Sequence, residues 1–300
     1  MKLRVRHTTE YVYGETVPLC HNQVHLYPRD TFRQRCTEHE LIISPEPAAV
    51  RTGDDFFGNP VSWFSLQEPH RGLTVTANSV VDVLPLVLPT DDALPWEQAT
   101  TSAEFRPAIE AEPFAFASPY IPIHAALADF ARISFTPGRP LVAAAKDLMK
   151  RIFTEFKFVP GVTNIGTPVL DVLRDRRGVC QDFTHLMIGC LRSIGLQARY
   201  VSGYLLTRPP PGKPKLVGAD ASHAWVSLFV PGYGWLDLDP TNNVIPSESH
   251  VTVGWARDYG DLAPVRGVIV GGHQHSLKVS VDVDEVEEKE TEESSPETGE

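Results

Sequence analysis

Residues 181–194, QDFTHLMIGCLRSI, place apolar side chains at Phe183, Leu186, Met187, Cys190, Leu191 and Ile194. Their offsets of 0, 3, 4, 7, 8 and 11 make an amphipathic helical stripe without a gap. Gly195 stops the helix. The text then turns to period-two alternation: ARYVSGYLL, SHAWVSLFV and WLDLD, the last two joined by the turn-forming PGYG, and later SLKVSVDV. A helix that leads into a block of strands predicts antiparallel α+β architecture rather than a βαβ sheet.

The 300-residue length suits two domains. Residues 1–88 read as β structure through KLRVRHTTEYVY, EHELIIS and LTVTANSVVDVLP, with a hairpin marked by Asp54, Asp55, Gly58, Asn59 and Pro60. A β-sandwich is expected there, with His7, His21, His25 and His39 scattered and not catalytic. Residues 89–137, rich in Pro, Ala and acidic groups, read as a connector that wraps the surface in short helical turns. A helix is expected over 139–157, then a breaker-rich loop, VPGVTNIGTP, and a catalytic core spanning 138–280. Residues 281–300 read as an acidic, disordered tail. Those last twenty residues hold ten acidic groups and one lysine, so they carry −9 of the net charge of −11. The rest of the chain is near neutral, which excludes the basic footprint of a nucleic-acid binder.

The two thiols of the helical segment call for different readings. Cys190 sits inside the apolar stripe as a small buried hydrophobe. Cys180 sits at or beside the helix N-terminus, where free backbone N–H groups and the helix dipole favour a thiolate. The same N–H groups can hold an oxyanion, and Gly178 is expected to leave room for a substrate backbone. The bland alternative is a capped, inert cysteine.

A thiolate nucleophile needs an imidazole, and the imidazole needs a third group to orient it. His223 shares one strand face with Trp225, Ser227 and Phe229, and the next strand carries Asp237 and Asp239 on a single face. Periodicity does not separate these two aspartates. A four-residue PGYG loop would put Val230 opposite Trp235 and His223 on the wrong face for Asp239. Direct opposition of His223 and Asp239 requires Leu228 opposite Gly234, so a catalytic pair predicts a shifted register.

The stretches RRGVCQDFTHLMIGCLRSIGLQARYVSGYL and GADASHAWVSLFVPGYGWLDLDPTNN resemble the transglutaminase-like superfamily of papain-fold thiol enzymes. YVYGETV, LYPRDTFRQ and DDFFGNPVSWFSLQEPH are similar to the β-domain that precedes this core in bacterial members. The resemblance implies a papain-like α+β core behind an N-terminal β-sandwich, with Cys180, His223 and Asp239 as a catalytic triad and Asp237 as a structural neighbour. It implies acyl transfer through a thioester, most simply as a peptidase or amidase acting on a peptide or amide substrate.

Around that triad, Gln181 is a candidate oxyanion donor and His185 and Trp225 are candidate cleft residues. Asp182 is either a first-turn acid that complements the dipole or a group pointing at Cys180. True transglutamination and a catalytically idle binding module are the rival readings. No cofactor and no metal are expected, because no CxxC pair and no EF-hand-like loop occur. His273 and His275 read as a turn. No membrane contact is expected, since no run of about 18 apolar residues exists. The few irregularly spaced cysteines and the alternating N-terminus read as cytoplasmic. The Pro-rich segment 208–214 is a candidate cover for the cleft.

Overall fold

A computed structural model describes residues 1–88, 94–101, 109–208 and 222–286. Six strands come first: β1 (Lys2–Val17), β2 (Leu19–Val24), β3 (Gln34–Ser44), β4 (Val50–Asp54), β5 (Pro60–Leu66) and β6 (His70–Val83). β6 pairs antiparallel with β1 and β3, while β5 pairs with β2 and β4. The alternation of β1 buries Leu3, Val5, His7 and Thr9 and leaves the intervening residues outward. Tyr13, Val17, Cys20, Phe64, Leu73 and Val75 fill the space between the two sheets. The β-sandwich and the hairpin at Asp54–Pro60 are as expected, the hairpin tip being held by Asp55 Oδ1, which accepts from the N–H groups of Phe57 and Asn59, each at 2.8 Å.

The second half begins with α1 (Trp96–Thr101), a 3-10 segment at Ile109–Ala115, α2 (Ala125–Arg132) and α3 (Leu141–Glu155). It continues through β7 (Lys157–Phe158), α4 (Val169–Asp175), β8 (Arg177–Gly178) and α5 (Cys180–Ser193). β9 (Ala198–Leu205), β10 (Ser222–Val230), β11 (Gly234–Leu238) and β12 (His250–Ala256) form an antiparallel sheet in the order β11-β10-β9-β12. One face of it, with Ala198, Tyr200, Ala224, Val226, Leu228, Leu236 and Leu238, packs on α5.

α5 is buried from Asp182 to Arg192, because α2, α3 and α4 cover the side that a simple amphipathic helix would leave wet. Each fully buried Leu or Met on it contributes roughly 1.5–3 kcal/mol. Arg192 is accommodated by carbonyls: its guanidinium donates to Ala198 O at 3.0 and 2.8 Å and to Arg257 O at 2.8 Å. Burial pushes it down to about 10.

Two expected boundaries move. Phe114, Ile121, Leu127 and Phe130 are buried, and the last three join the core around α5, so residues 109–137 are part of that core and not a surface wrap. The strand expected to close the core is β14 (His275–Glu285), and it pairs with β1 instead. β13 (Val265–Val270), which the alternation did not reveal, pairs with β2. The chain therefore returns to complete both sheets of the sandwich, and residues 281–285, assigned to the tail, belong to β14. The tail beyond Val286 lies outside the described residues, as does the Pro-rich segment beyond Arg208.

The two halves are joined at the edge strand β12. Gln34 brackets Thr252, donating Nε2 to its O and accepting its N–H at Oε1, both at 2.7 Å. Asn59 treats Trp255 alike, with Nδ2 2.8 Å from its O and Oδ1 3.0 Å from its N. Two amide side chains thus satisfy a sheet edge that would otherwise stay open. Gly254 permits this approach, since a Cβ there would lie 2.6 Å from Asn59 Oδ1. Beside it, Leu3, Val5, Val81, Val83, Val281 and Val283 pack with Tyr204, Val251 and Val253. No helix among the described residues is long and apolar enough to cross a membrane.

Candidate active site

Cys180 is the first residue of α5 and is half-buried. Its position is fixed from behind. Val159 N–H donates to Gly178 O at 2.9 Å, tying the turn before the helix to the strand pair β7–β8. The Asp182 carboxylate accepts from Val179 N–H at 2.7 Å and from Thr163 Oγ1 at 2.6 Å. Asp182 is therefore an N-terminal cap bonded away from the thiol, and burial raises its pKa while these two bonds oppose the rise. Gly178 serves the same cap: a Cβ would stand 2.8 Å from both Cβ and Oδ2 of Asp182, so the missing side chain makes room for the aspartate and not for substrate.

His223 and Asp239 meet through a register that neither expected alternative described. Val230 pairs with Gly234 and Val226 with Leu238, leaving a three-residue loop, Pro231–Tyr233. Continued past Leu238, this register sets Asp239 beside Trp225 and diagonal to His223, on the same face. Diagonal neighbours remain within reach of a histidine. His223 Nε2 donates to Asp239 Oδ2 at 2.7 Å. Asn242 Nδ2 also lies 3.3 Å from Nε2, so the ring nitrogen left free is Nδ1, and the Cys180 thiol is near enough to raise the pKa of the ring. Asp237 stands opposite Ser227 on the same face, further along β11.

Asp239 is fully buried and multiply held. Its Oδ1 accepts from the N–H groups of Thr241 and Asn242 at 2.9 and 3.2 Å, and its Oδ2 also accepts from Asn242 Nδ2 at 2.7 Å. His250 Nε2 lies 3.4 Å from Oδ2. Burial alone would raise the Asp239 pKa, but the bonds from His223, His250 and Asn242 outweigh it and hold the carboxyl well below the usual range. Burial likewise disfavours the imidazolium of His223, yet hydrogen bonds and charge from Asp239 and Cys180 push it up to about 10. The site favours a charged imidazolium beside the buried Asp239 carboxylate.

The ligand atoms of His223, Asp239 and His250 lie within 4.8 Å of one another, a grouping with the size of a metal centre. The hydrogen bonds already made account for it, and a metal would have to displace the His223–Asp239 contact.

The other candidates fall as follows. Trp225 is fully buried beside the pair, with its ring 6.1 Å from that of His223 and edge-on to His250 at 5.3 Å. Gln181 is half-buried in the first turn of α5. His185 does not face a cleft. It is buried under Tyr120 and Tyr200, its Nε2 accepts from Tyr259 N–H at 3.2 Å, and burial lowers it to about 4. Asn242 and His250 escaped the sequence reading. The Asp-Pro-Thr-Asn turn signalled that Asn242 would fold back on Asp239, whereas nothing local marked His250, which arrives on an edge strand from eleven residues downstream.

This β-sandwich followed by a helix-plus-sheet core, with a thiol at the helix start, defines a papain-like architecture of the transglutaminase kind. Residues 3–82 match the family described as the bacterial transglutaminase-like N-terminal region, and residues 131–240 match the transglutaminase-like superfamily. An uncharacterised Mycobacterium tuberculosis protein is 44% identical over 291 residues, covering 94% of this chain and 92% of its own. The protein-glutamine gamma-glutamyltransferase of Pseudomonas aeruginosa is 36% identical over 123 residues, or 40% of this chain and 18% of that one. A solved structure from Cytophaga hutchinsonii, described as a candidate cysteine protease, superposes with a TM-score of 0.76 at 19% identity, covering 96% of this chain and 92% of its own. The chain belongs to the transglutaminase-like superfamily, in the bacterial form that carries this N-terminal region. These matches support a thiol enzyme of this fold.

Proposed function

We propose that the protein is an acyl-transfer enzyme that hydrolyses a peptide or carboxamide bond, with Cys180 as nucleophile, His223 as proton carrier and Asp239 as its anchor. The observation that carries this reading is His223, hydrogen-bonded to the buried Asp239 at 2.7 Å and with its pKa raised to about 10, to which the nearby Cys180 thiol contributes. In the first half-reaction Cys180 Sγ, as thiolate, bonds to the carbonyl carbon. The carbonyl oxygen takes the electron pair and rests against N–H groups of the first turn of α5, with Gln181 placed to add a side-chain donor. The C–N bond then breaks as the His223 imidazolium gives its Nδ1 proton to the leaving amine or ammonia, leaving a thioester and neutral imidazole. Water, deprotonated by His223, attacks the thioester and releases the acid and the thiolate. Asp239 keeps the ring in one orientation throughout and offsets the imidazolium charge. All four cysteines are unpaired, which supports a reducing compartment, the cytoplasm.

The similarity to a protein-glutamine gamma-glutamyltransferase favours a second reading, in which an amine replaces water in the second half-reaction. One experiment tests both: incubation of the protein with glutamine-containing peptides, with and without a primary amine, and mass spectrometry of the products. Free acid with ammonia or a released peptide indicates hydrolysis, and an amine adduct indicates transglutamination. Neither product, with wild-type protein and Cys180→Ala indistinguishable, would contradict the acyl-transfer reading for these substrates.

A further inference from the structure

A cavity of about 870 Å³ lies between the sandwich and the sheet face that also carries His223, within the range of small-molecule sites. Three buried polar atoms of residues on its wall have no hydrogen-bond partner: Arg33 Nε, Arg199 Nε and Trp225 Nε1. All three are donors, and none can accept. Buried donors left unpaired carry a desolvation cost that an acceptor would relieve.

Arg199 is the centre of this arrangement. It is 8% exposed, and its guanidinium lies between the rings of Trp235 and Trp255, 4.0 and 3.8 Å from their centroids. The two indoles cover its faces and leave its N–H edge, which no hydrogen bond or ion pair occupies among the described residues. Asp237, two strands away across Ser227, forms no ion pair with it. Burial pushes the guanidinium down to about 9, with Arg29 adding to the fall and Asp237 opposing it. Arg29 is committed elsewhere, donating to Phe57 O at 2.7 Å and Asn59 Oδ1 at 2.9 Å. The wall carries three arginines, Arg29, Arg33 and Arg199, and two carboxylates, Asp237 and Glu110. Phe32 and Phe56 also line the cavity and stay 82% and 85% exposed, offering apolar surface to an occupant.

We propose that this cavity binds a carboxylate ligand with an apolar or aromatic body, its carboxylate seated on the free edge of Arg199. The planar fork of a guanidinium matches a carboxylate bidentately, and the stacked indoles pre-set its plane. Cys180 is not on this wall, so the proposal does not depend on the thiol chemistry.

The test uses the full chain and three probes, 2-naphthoate, 3-phenylpropionate and N-acetyl-phenylalanine, each beside its primary amide, with binding read by calorimetric titration. At least one acid is expected to bind about tenfold or more tighter than its amide, the scale of a charge-assisted bidentate contact. Arg199→Met should abolish that preference, and Arg199→Lys, which keeps the charge but loses the fork, should reduce it severalfold. Equal binding of acids and amides, or no binding of any acid to the wild-type protein, overturns the proposal. That comparison stands even if a variant fails to fold.

Discussion

Asp239 Oδ2 lies 2.7 Å from His223 Nε2, although the two residues are diagonal rather than opposite across β10 and β11. The pair is buried and strongly polarised, so it should be visible in stability as a function of pH. The imidazole of His223 is raised from its ordinary 6.5 to about 10. Its contribution is therefore complete below pH 6.5 and is lost as pH rises through about 10. The carboxyl of Asp239 is lowered from 3.8, so its contribution is present above that value and lost as pH falls further. Thermal melts of wild type and His223→Gln should differ most between about pH 4 and 6.5 and converge toward pH 10. A difference that widens with rising pH would contradict the pairing.

The two thiols of α5 should respond in opposite ways. Cys180→Ala removes a half-buried sulfur at a helix start and should abolish turnover while changing stability by no more than about 0.5 kcal/mol. Cys190 is fully buried among apolar side chains, and burial raises its thiol pKa. Cys190→Ser should destabilise by roughly 1–3 kcal/mol, through an unpaired hydroxyl in the core, and leave the activity of the folded fraction intact. Denaturant melts with activity assays on the folded fraction distinguish the outcomes, and the reverse pattern would exchange the two assignments.

Asp182 acts as a cap through acceptor bonds at Oδ2, which an asparagine oxygen can reproduce. Asp182→Asn should stay close to wild type, while Asp182→Ala should lose about 1–2 kcal/mol. Gly178→Ala should cost about 1–3 kcal/mol by overpacking and lower turnover, because the new Cβ meets the Asp182 side chain at 2.8 Å and must displace the start of α5. Equal damage from Asn and Ala at position 182 would show that its charge, rather than its geometry, is what matters.

The Gln34 and Asn59 brackets predict that the sandwich and the core melt as one unit. Gln34→Ala and Asn59→Ala each delete two hydrogen bonds to β12, at a net cost of about 1–3 kcal/mol per variant. Hydrogen exchange should then rise along Thr252–Trp255 before it rises elsewhere. Faster exchange confined to the sandwich would contradict the role assigned to these amides.

What the sequence disclosed followed the reach of local signals. The β1–β6 alternation, the α5 stripe and the Gly195 stop are each written within a few residues, and they gave the sandwich, the helix and the placement of Cys180 at its start. His223 and Asp239 were legible through family resemblance, but their register was not. A three-residue loop containing Gly232 and followed by Gly234, at φ of 79° and 99°, sets it, and the PGYG text fits loops of several lengths. Residues 265–280 read as part of the core because nothing local records that a segment pairs with residues some 240 to 280 positions earlier. His250 was hidden for the same reason. Gly178 was misread because its neighbour in space, Asp182, follows the turn.

The central claim is that Cys180 is an activated thiolate paired with His223, and alkylation of the native protein by iodoacetamide across about pH 4 to 9, with sites located by mass spectrometry, addresses it most directly. Cys20 and Cys190 are buried, and burial pushes the half-buried Cys36 up to about 11, so none of the three should compete. The account predicts fast labelling of Cys180 alone that persists below pH 7 and is lost in His223→Ala. Slow labelling of Cys180 with the pH profile of an ordinary thiol, unchanged by that substitution, would contradict it.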